Sequence, residues 1–328
     1  MDKMFDMLVK FPQQCRQALE IGEEVPIPDW WRNSRGIVVA GMGGSSASGA
    51  LLRDALQGRF PVHLVRDYQL PLWVDKEWLV VVVTYSGNTR EALSCYEMAR
   101  DRNCRTFVIT SGGEIEKRLE RAQVLCARIP SGLAPRASLG YLFFPLLLLA
   151  NKIGLYPTLK DDMDDTLKNL QELSAEAKSD TDNNRAKSIA KCLLGKIPVV
   201  YGATCLESCV WRVKNQINED AKLPCIANVV PELLHNEIEM WGSPRDDFHV
   251  IFLRDITETP EVSQKMERLV SICKEKNRQF DEIRAPAKTF LARLLWFHYY
   301  SDWLGYWLSI IGGIDPLRTP LIDSVKLP

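Results

Sequence analysis

The sequence predicts an α/β protein built from two tandem, doubly wound domains, each a flavodoxin-like parallel sheet flanked by helices. Three observations carry that expectation. Runs of β-branched residues alternate with helical patterns through the first half, as strands and crossover helices of a parallel sheet must. Two polar, glycine-containing turns in that half, Gly41-Met42-Gly43-Gly44-Ser45-Ser46 and Thr84-Tyr85-Ser86-Gly87-Asn88-Thr89, each join a strand-like run to a helix-like one. The second half opens on Ile197-Pro198-Val199-Val200-Tyr201-Gly202, which echoes Ile37-Val38-Val39-Ala40-Gly41 about one domain later, as tandem duplication would produce.

Taken in order, Met1 to Lys10 mixes acids and lysines with apolar residues, the pattern of an amphipathic helix rather than of a signal sequence. Strands are expected at Ile37 to Ala40, Val62 to Val65, Leu79 to Val83, Thr106 to Ile109 and Val124 to Ala127, with helices centred near Leu51, Leu93, Leu119 and Leu142. Leu139 to Ala150 is the most apolar stretch; it holds Pro145, is too short to span a bilayer and reads as a buried core helix. Gly154-Leu155-Tyr156-Pro157 breaks the pattern and places a boundary near Tyr156, giving domains at 1–155 and 156–328. Asp161 to Lys191 reads as one long exposed helix. Strands at Pro224 to Val229, His249 to Leu253 and Gln279 to Ile283, with helices near Val210, Met266 and Leu295, complete the second layer.

With 328 residues, 46% hydrophobic and 25% charged, the chain has room for two cores. A formal net charge of -1 argues against nucleic-acid and membrane partners, and the runs Lys117 to Arg121 and Lys160 to Asp165 are mixed or acidic helix faces. Nine cysteines, an odd number without C-x-x-C spacing, indicate a reducing, cytoplasmic setting.

The two turns are where an anion would sit. Unpaired N–H groups and the positive end of the helix dipole favour a phosphate at such a strand-to-helix junction, and small hydroxyl residues add hydrogen bonds. The alternative is that Ser86, Asn88 or Thr89 merely caps the following helix. Gly41, Gly43 and Ser46 give only G-x-G-x-x-S, and the next strand ends at Arg66-Asp67, a weak dinucleotide match. No Gly-Lys-Ser/Thr follows the glycines, so this is not a P-loop.

Of the four histidines, His63, His249 and His298 lie in apolar or aromatic contexts that suit structural roles, and no pair has metal-ligand spacing. His235 differs, because Pro231-Glu232-Leu233-Leu234-His235-Asn236-Glu237 crowds it among carboxylates and an amide just after a strand. A surface helix with a capping histidine remains the other reading. Glu219, in Asn218-Glu219-Asp220-Ala221-Lys222, sits near a helix C-terminus where it opposes the dipole; its alternative is a solvated charge beside Lys222.

These residues together resemble a known family. The order G-M-G-G-S, T-Y-S-G-N-T, Pro135-Arg136, N-E-D-A-K, H-N-E-I and a terminal Val325-Lys326 resembles the bifunctional phosphoglucose/phosphomannose isomerases of the sugar isomerase (SIS) superfamily, over nearly the full length. The resemblance implies that Gly43, Gly44, Ser45, Thr84, Ser86 and Thr89 bind the phosphate of a sugar phosphate; Thr84 stands where many relatives carry serine. It implies Arg136 as the stabiliser of an enediolate, Glu219 as the catalytic carboxylate, and His235 with Lys326 as the ring-opening pair. Thr319 matches a family threonine that leaves space near C2. It also implies a homodimer whose active site takes the histidine from the partner subunit.

The chemistry suits these residue types. Opening a pyranose needs a proton at the ring oxygen and a base on a hydroxyl, work for a histidine helped by a lysine. Moving a proton between C2 and C1 through a cis-enediol(ate) suits one carboxylate acting first as base and then as acid, and requires no metal or cofactor. The main rival is a regulatory protein that binds a phosphosugar without converting it. Such sensors usually carry a helix-turn-helix segment, and no basic recognition helix is present. An amidotransferase-type isomerase domain is a further rival, for which no N-terminal cysteine nucleophile is found.

Overall fold

A computed structural model describes residues 2–122, 124–181 and 183–325 of the chain. By its contacts the chain divides into two units, Lys10–Leu167, and Met1–Val9 together with Lys168–Pro328. The N-terminal helix α1 (Lys3–Val9) therefore belongs with the second unit, and the other division falls inside the helix Leu159–Ala177, on the C-terminal side of Tyr156.

The first unit runs α2 (Phe11–Glu23), β1 (Ile37–Ala40), α3 (Gly43–Leu56), β2 (Val62–Val65), β3 (Leu79–Thr84), α4 (Arg90–Asp101), β4 (Arg105–Thr110), α5 (Glu114–Leu119), β5 (Leu125–Arg128) and α6 (Leu139–Lys152). Its five strands are all parallel, in the order β2-β1-β3-β4-β5. This is the flavodoxin order, with its switch point between β1 and β3, where both polar turns emerge. Ile37 pairs with Val62 on one side and Leu79 on the other, and every residue of β1 and β3 is buried. A β-branched run such as Leu79-Val80-Val81-Val82-Val83 fits a strand covered on both faces. On one face Val38, Val80, Val82 and Val108 meet Ala92, Tyr96 and Ile115 of the helices that follow β3 and β4. On the other side of this unit α6 packs against α2 and α3, and its residues from Leu139 through Ala150 are buried, as the apolar run predicts.

The second unit takes up α7 (Leu159–Ala177) from Lys168 onward and continues through α8 (Arg185–Leu193), β6 (Ile197–Ala203), α9 (Glu207–Ala221), β7 (Ile226–Val230), β8 (Phe248–Arg254), α10 (Pro260–Glu275), β9 (Gln279–Arg284), α11 (Phe290–Ile311) and α12 (Pro320–Val325). Its four parallel strands follow β7-β6-β8-β9, the same winding as the first four strands of the other sheet. The sequence echo between the Ile197 and Ile37 runs is thus an echo of position, since β6 and β1 begin equivalent windings. Val199, Tyr201, Val250 and Phe252 meet Met266, Leu269 and Cys273 of α10. Helix α11 is buried from Leu291 through Ser309, packs against α8, α9 and α1, and is apolar all round, as an enclosed helix must be.

Every expected strand forms, with ends within about two residues of the sequence reading. The helix expected from Asp161 to Lys191 is instead two, α7 and α8. Asn184 makes the break: its Oδ1 accepts the Lys187 N–H as the N-cap of α8, while its Nδ2 donates to the carbonyls of Ala177 and Ser179 at the end of α7. One buried amide satisfies two helix ends at once, which periodicity alone does not reveal.

Candidate active site

The two polar turns of the first unit are built against each other and against Arg136. Helix α3 starts at Gly43 after an extended Met42 that offers no side-chain cap, so its opening N–H groups are not satisfied by a capping side chain. The Tyr85 N–H reaches Ser45 Oγ at 3.4 Å, linking the turn after β3 to the turn after β1. Gly44 lies under the segment carrying Arg136: a Cβ there would sit 2.7 Å from the Pro135 carbonyl oxygen and 3.4 Å from Arg136 Cα. Glycine is required by that close approach, and it brings the buried Arg136 beside the start of α3.

Helix α4 also begins without a side-chain cap, since Thr89 occupies the N-cap position and its hydroxyl does not bond back into the helix. Ser86 is exposed and Thr89 half-buried, whereas Thr84 is buried and its hydroxyl has no hydrogen-bond partner among the described residues. The turn is held from behind by the loop after β4. Asn88 Oδ1 accepts the Glu114 N–H at 2.9 Å, the Gly87 carbonyl accepts the Ile115 N–H, and Ser111 Oγ donates to the Tyr85 carbonyl at 2.6 Å. Gly87 has φ +69°, and a Cβ would fall 1.6 Å from the Gly112 carbonyl oxygen, so no other residue fits.

Three residues have positioning contacts that the sequence reading did not assign to them. Tyr85 sends its hydroxyl to the Pro130 carbonyl at 3.1 Å and accepts the Leu133 N–H at 2.9 Å, tying down the segment that leads to Arg136. Burial raises the Tyr85 pKa more than the Leu133 amide lowers it, so the phenol stays neutral. Gln14 of α2, itself buried, donates to the Ala137 carbonyl and accepts the Tyr141 N–H, fixing the other end of the same turn. Asn88, a candidate helix cap for α4, caps α5 instead. Tyr85 and Asn88 stood within the singled-out motif; only Gln14 gave no signal, because its partners are more than a hundred residues away.

In the second unit, Glu219 lies in the last turn of α9, half-buried. Lys222, in the left-handed conformation at φ +57°, closes that helix by sending its ammonium to the carbonyls of Glu219, Asp220 and Asp315. The lysine thus satisfies backbone and not the Glu219 carboxylate, which has no hydrogen-bond or ion-pair partner among the described residues. His235, exposed, ends a short 3-10 turn after β7, and a second such turn starts at Glu237. These two turns replace the short helix expected there. Asn236 breaks it, with φ -155° and a side chain that accepts the Glu237 N–H.

The turn that follows His235 is anchored by polar groups. Glu237 Oε2 accepts from Asn228 Nδ2 of β7 at 2.9 Å, and the Tyr201 hydroxyl of β6 is held neutral, chiefly by burial and then by the negative charge of Glu237. Thr319 is half-buried just before α12, its carbonyl accepting the Asp323 N–H. Lys326 lies outside the described residues. The other histidines have structural partners: His249 bonds Asp281 at 2.8 Å, His298 bonds Ser208 at 3.1 Å, and His63 stacks edge-on with Trp73. All nine cysteines are free thiols. Among the described residues no helix is long and apolar enough to cross a membrane.

Comparison with known proteins shows what the chain as a whole is similar to. Residues 182–327 match the family model for the bacterial phospho-glucose isomerase C-terminal SIS domain. The chain is 34% identical over 331 aligned residues to the bifunctional phosphoglucose/phosphomannose isomerase of Caldicellulosiruptor bescii, covering 98% of each chain. It is 32% identical to the protein of the same description from Aquifex aeolicus, over 89% of each. Among solved structures, a hypothetical protein of Thermus thermophilus matches with a TM-score of 0.78 at 15% identity, over 99% of this chain and 89% of that one, a likeness of fold.

Proposed function

The chain belongs to the bifunctional phosphoglucose/phosphomannose isomerase family, and from that premise we propose that it interconverts fructose 6-phosphate with both glucose 6-phosphate and mannose 6-phosphate. In this reading the first unit holds the phosphate through the opening amides of α3 and α4, with Gly43, Gly44, Ser45, Thr84, Ser86 and Thr89 as its binding residues. Arg136 stabilises the negative charge that develops on the enediolate; a guanidinium suits that task because it keeps its charge when buried.

The second unit carries the proton transfers. His235, with Lys326, opens the ring by protonating its oxygen and deprotonating the anomeric hydroxyl. Glu219 then takes the proton from C2 and returns it at C1, passing through a cis-enediol(ate), so each turnover restores its carboxylate. Serving both aldoses requires the base to meet C2 hydrogens of opposite configuration after rotation about C2–C3, with Thr319 leaving the room. The reading further includes a cytoplasmic homodimer in which His235 acts in the partner's site.

One observation carries the assignment of Glu219. A half-buried carboxylate on the final turn of a helix, disfavoured there by the dipole and without a partner among the described residues, is poorly placed for stability and well placed for reaction. The test is to incubate the enzyme with fructose 6-phosphate in EDTA and read both aldose products by coupled assays, for wild type and Glu219→Gln. Both products are expected from wild type, with a loss of at least about a hundredfold in the folded variant. Near-wild-type turnover of folded Glu219→Gln would remove that residue from the role. Tight binding of fructose 6-phosphate by wild type without either product would move the reading to a sensor.

A further inference from the structure

Helices α9 and α11 meet along a seam that is polar where an apolar contact would be expected. Ser208, Arg212, Gln216 and Asp220 recur every fourth residue and so form one ridge of α9, and all four are buried. Facing them on α11 are His298, Asp302 and Gly305, also buried. Ser208 Oγ and His298 Nε2 lie 3.1 Å apart, and one turn on, Arg212 Nε and Nη2 donate to Asp302 Oδ1 at 2.9 and 2.6 Å. Burial, and then the nearby Arg212 charge, hold the His298 pKa well below its usual value, so the ring bonds Ser208 as a neutral imidazole.

Apolar ridges tolerate small slides and rotations, whereas bonds between buried polar groups are satisfied at one register only, and breaking them leaves a buried charge or donor exposed to no partner. The seam ends at the turn that carries Glu219. There the missing side chain of Gly305 lets α11 come against α9: a Cβ would lie 2.9 Å from Asp220 Oδ2, 3.0 Å from Gln216 Cβ and 3.1 Å from the Gln216 carbonyl oxygen. The shortest contact is to the end of the Asp220 side chain, which can turn aside; the two to Gln216, one of them backbone, require the helices to give by a few tenths of an ångström if the glycine is replaced.

We propose that the polar seam between α9 and α11 is a positioning device for Glu219, and that it sets the balance between glucose 6-phosphate and mannose 6-phosphate as substrates. The proposal rests on the reading of Glu219 as the proton-transfer base. After rotation about C2–C3 the two aldoses bring their C2 hydrogens to the one carboxylate from differently rotated chains, so a small shift of Glu219 changes the two approaches unequally. Misplacement by about 1 Å costs on the order of a hundredfold in rate, so a fraction of that displacement separates the two substrates measurably.

The experiment is Gly305→Ala, with kcat/KM for the two aldose phosphates measured on the same enzyme preparation. Partial unfolding lowers both values equally and cancels in their ratio, so a merely structural role leaves the ratio unchanged. The expected result is a change in the ratio of at least about threefold, with KM for each substrate changed less than kcat. An unchanged ratio overturns the proposal. Should Gly305→Ala not fold, Gln216→Ala relaxes the same contact without a clash and is read in the same way. Glu219→Gln is assayed alongside: its retention of turnover overturns the base assignment and this proposal with it, whereas an inactive Glu219→Gln beside an unaltered Gly305→Ala ratio overturns the seam alone.

Discussion

The two sheets share one winding and treat the ends of their strands in opposite ways. After β3, the loop from Thr84 to Thr89 presents hydroxyls and leads into a helix with no side-chain cap. After β8, the equivalent strand of the second sheet, the chain reads Arg254-Asp255-Ile256-Thr257-Glu258-Thr259 and satisfies itself. Glu258 accepts from Arg254 Nε with both oxygens, from Arg254 Nη2 and from the Asp255 N–H; Asp255 accepts from the Thr257 N–H and hydroxyl and from Arg293. Thr259 caps α10 by accepting the Val262 N–H. The turn after β6 differs from the glycine turn after β1 in another way: residues Thr204–Leu206 form a 3-10 turn and the Thr204 hydroxyl donates to the Val230 carbonyl, although α9, like α3, starts without a side-chain cap. A shared fold therefore does not make a shared site. After β3 and β8 the difference is whether the loop's own side chains cap the helix that follows, and the uncapped start after β3 is the one proposed to hold the phosphate.

The largest expected effect comes from breaking the self-satisfied loop. Both Glu258 and Arg254 side chains are 3% exposed, and although burial works to lower the Arg254 pKa, the hydrogen bonds and charges of Glu258 and Glu282 together more than offset it. Glu258→Ala leaves a buried guanidinium short of its principal partner, with Glu282 and Ser263 remaining among the described residues. A loss of about 3–5 kcal/mol in denaturant-measured stability is expected, with KM for fructose 6-phosphate unchanged in the folded enzyme. If KM rose severalfold instead, the loop after β8 would take part in holding the phosphate and the contrast would fail.

The mirror experiment strikes the open loop. In Gly87→Ala the new Cβ collides with the Gly112 carbonyl and the backbone must hold a left-handed conformation, so the turn separates from its support. KM for fructose 6-phosphate is expected to rise at least about tenfold, some 1.4 kcal/mol of binding. An unaltered KM would mean that the shape of this turn does not govern phosphate binding.

The contrast also marks what the sequence makes legible. The strands were legible because a valine run such as Val80-Val81-Val82-Val83 has few other ways to be buried, and both polar turns were legible because they interrupt such runs. The site's second layer was not. Gln14 and Ala137 are partners across more than a hundred residues, and the four-residue ridge from Ser208 to Asp220 has meaning only once α11 lies against it. The carboxylates after β8 looked like ordinary loop polarity; their use as internal anions depends on Arg254 and Arg293 arriving from a strand end and a distant helix. The split of Asp161 to Lys191 into two helices was hidden for the same reason, since composition cannot say where an asparagine's two ends will point. Periodicity reports which face is buried, and polar bonds across elements have no periodicity to report.

The smallest expected effect gives the sharpest comparison, because one substitution can be made at both helix starts. Thr259 and Thr89 each occupy an N-cap, but only the first uses its hydroxyl on its own helix, at 3.4 Å from the Val262 nitrogen. Thr259→Val should therefore cost about 1 kcal/mol of stability and leave KM unchanged. Thr89→Val removes no such bond, so stability should move by less than about 0.5 kcal/mol. Its hydroxyl is proposed to meet a phosphate, and a hydrogen bond to a charged partner is worth about 1.5–3 kcal/mol, so KM should rise about tenfold or more. Equal destabilisation by the two variants with no change in KM would restore the plain alternative, that the threonine after Thr84-Tyr85-Ser86-Gly87-Asn88 is a helix cap and the anion is held by other groups.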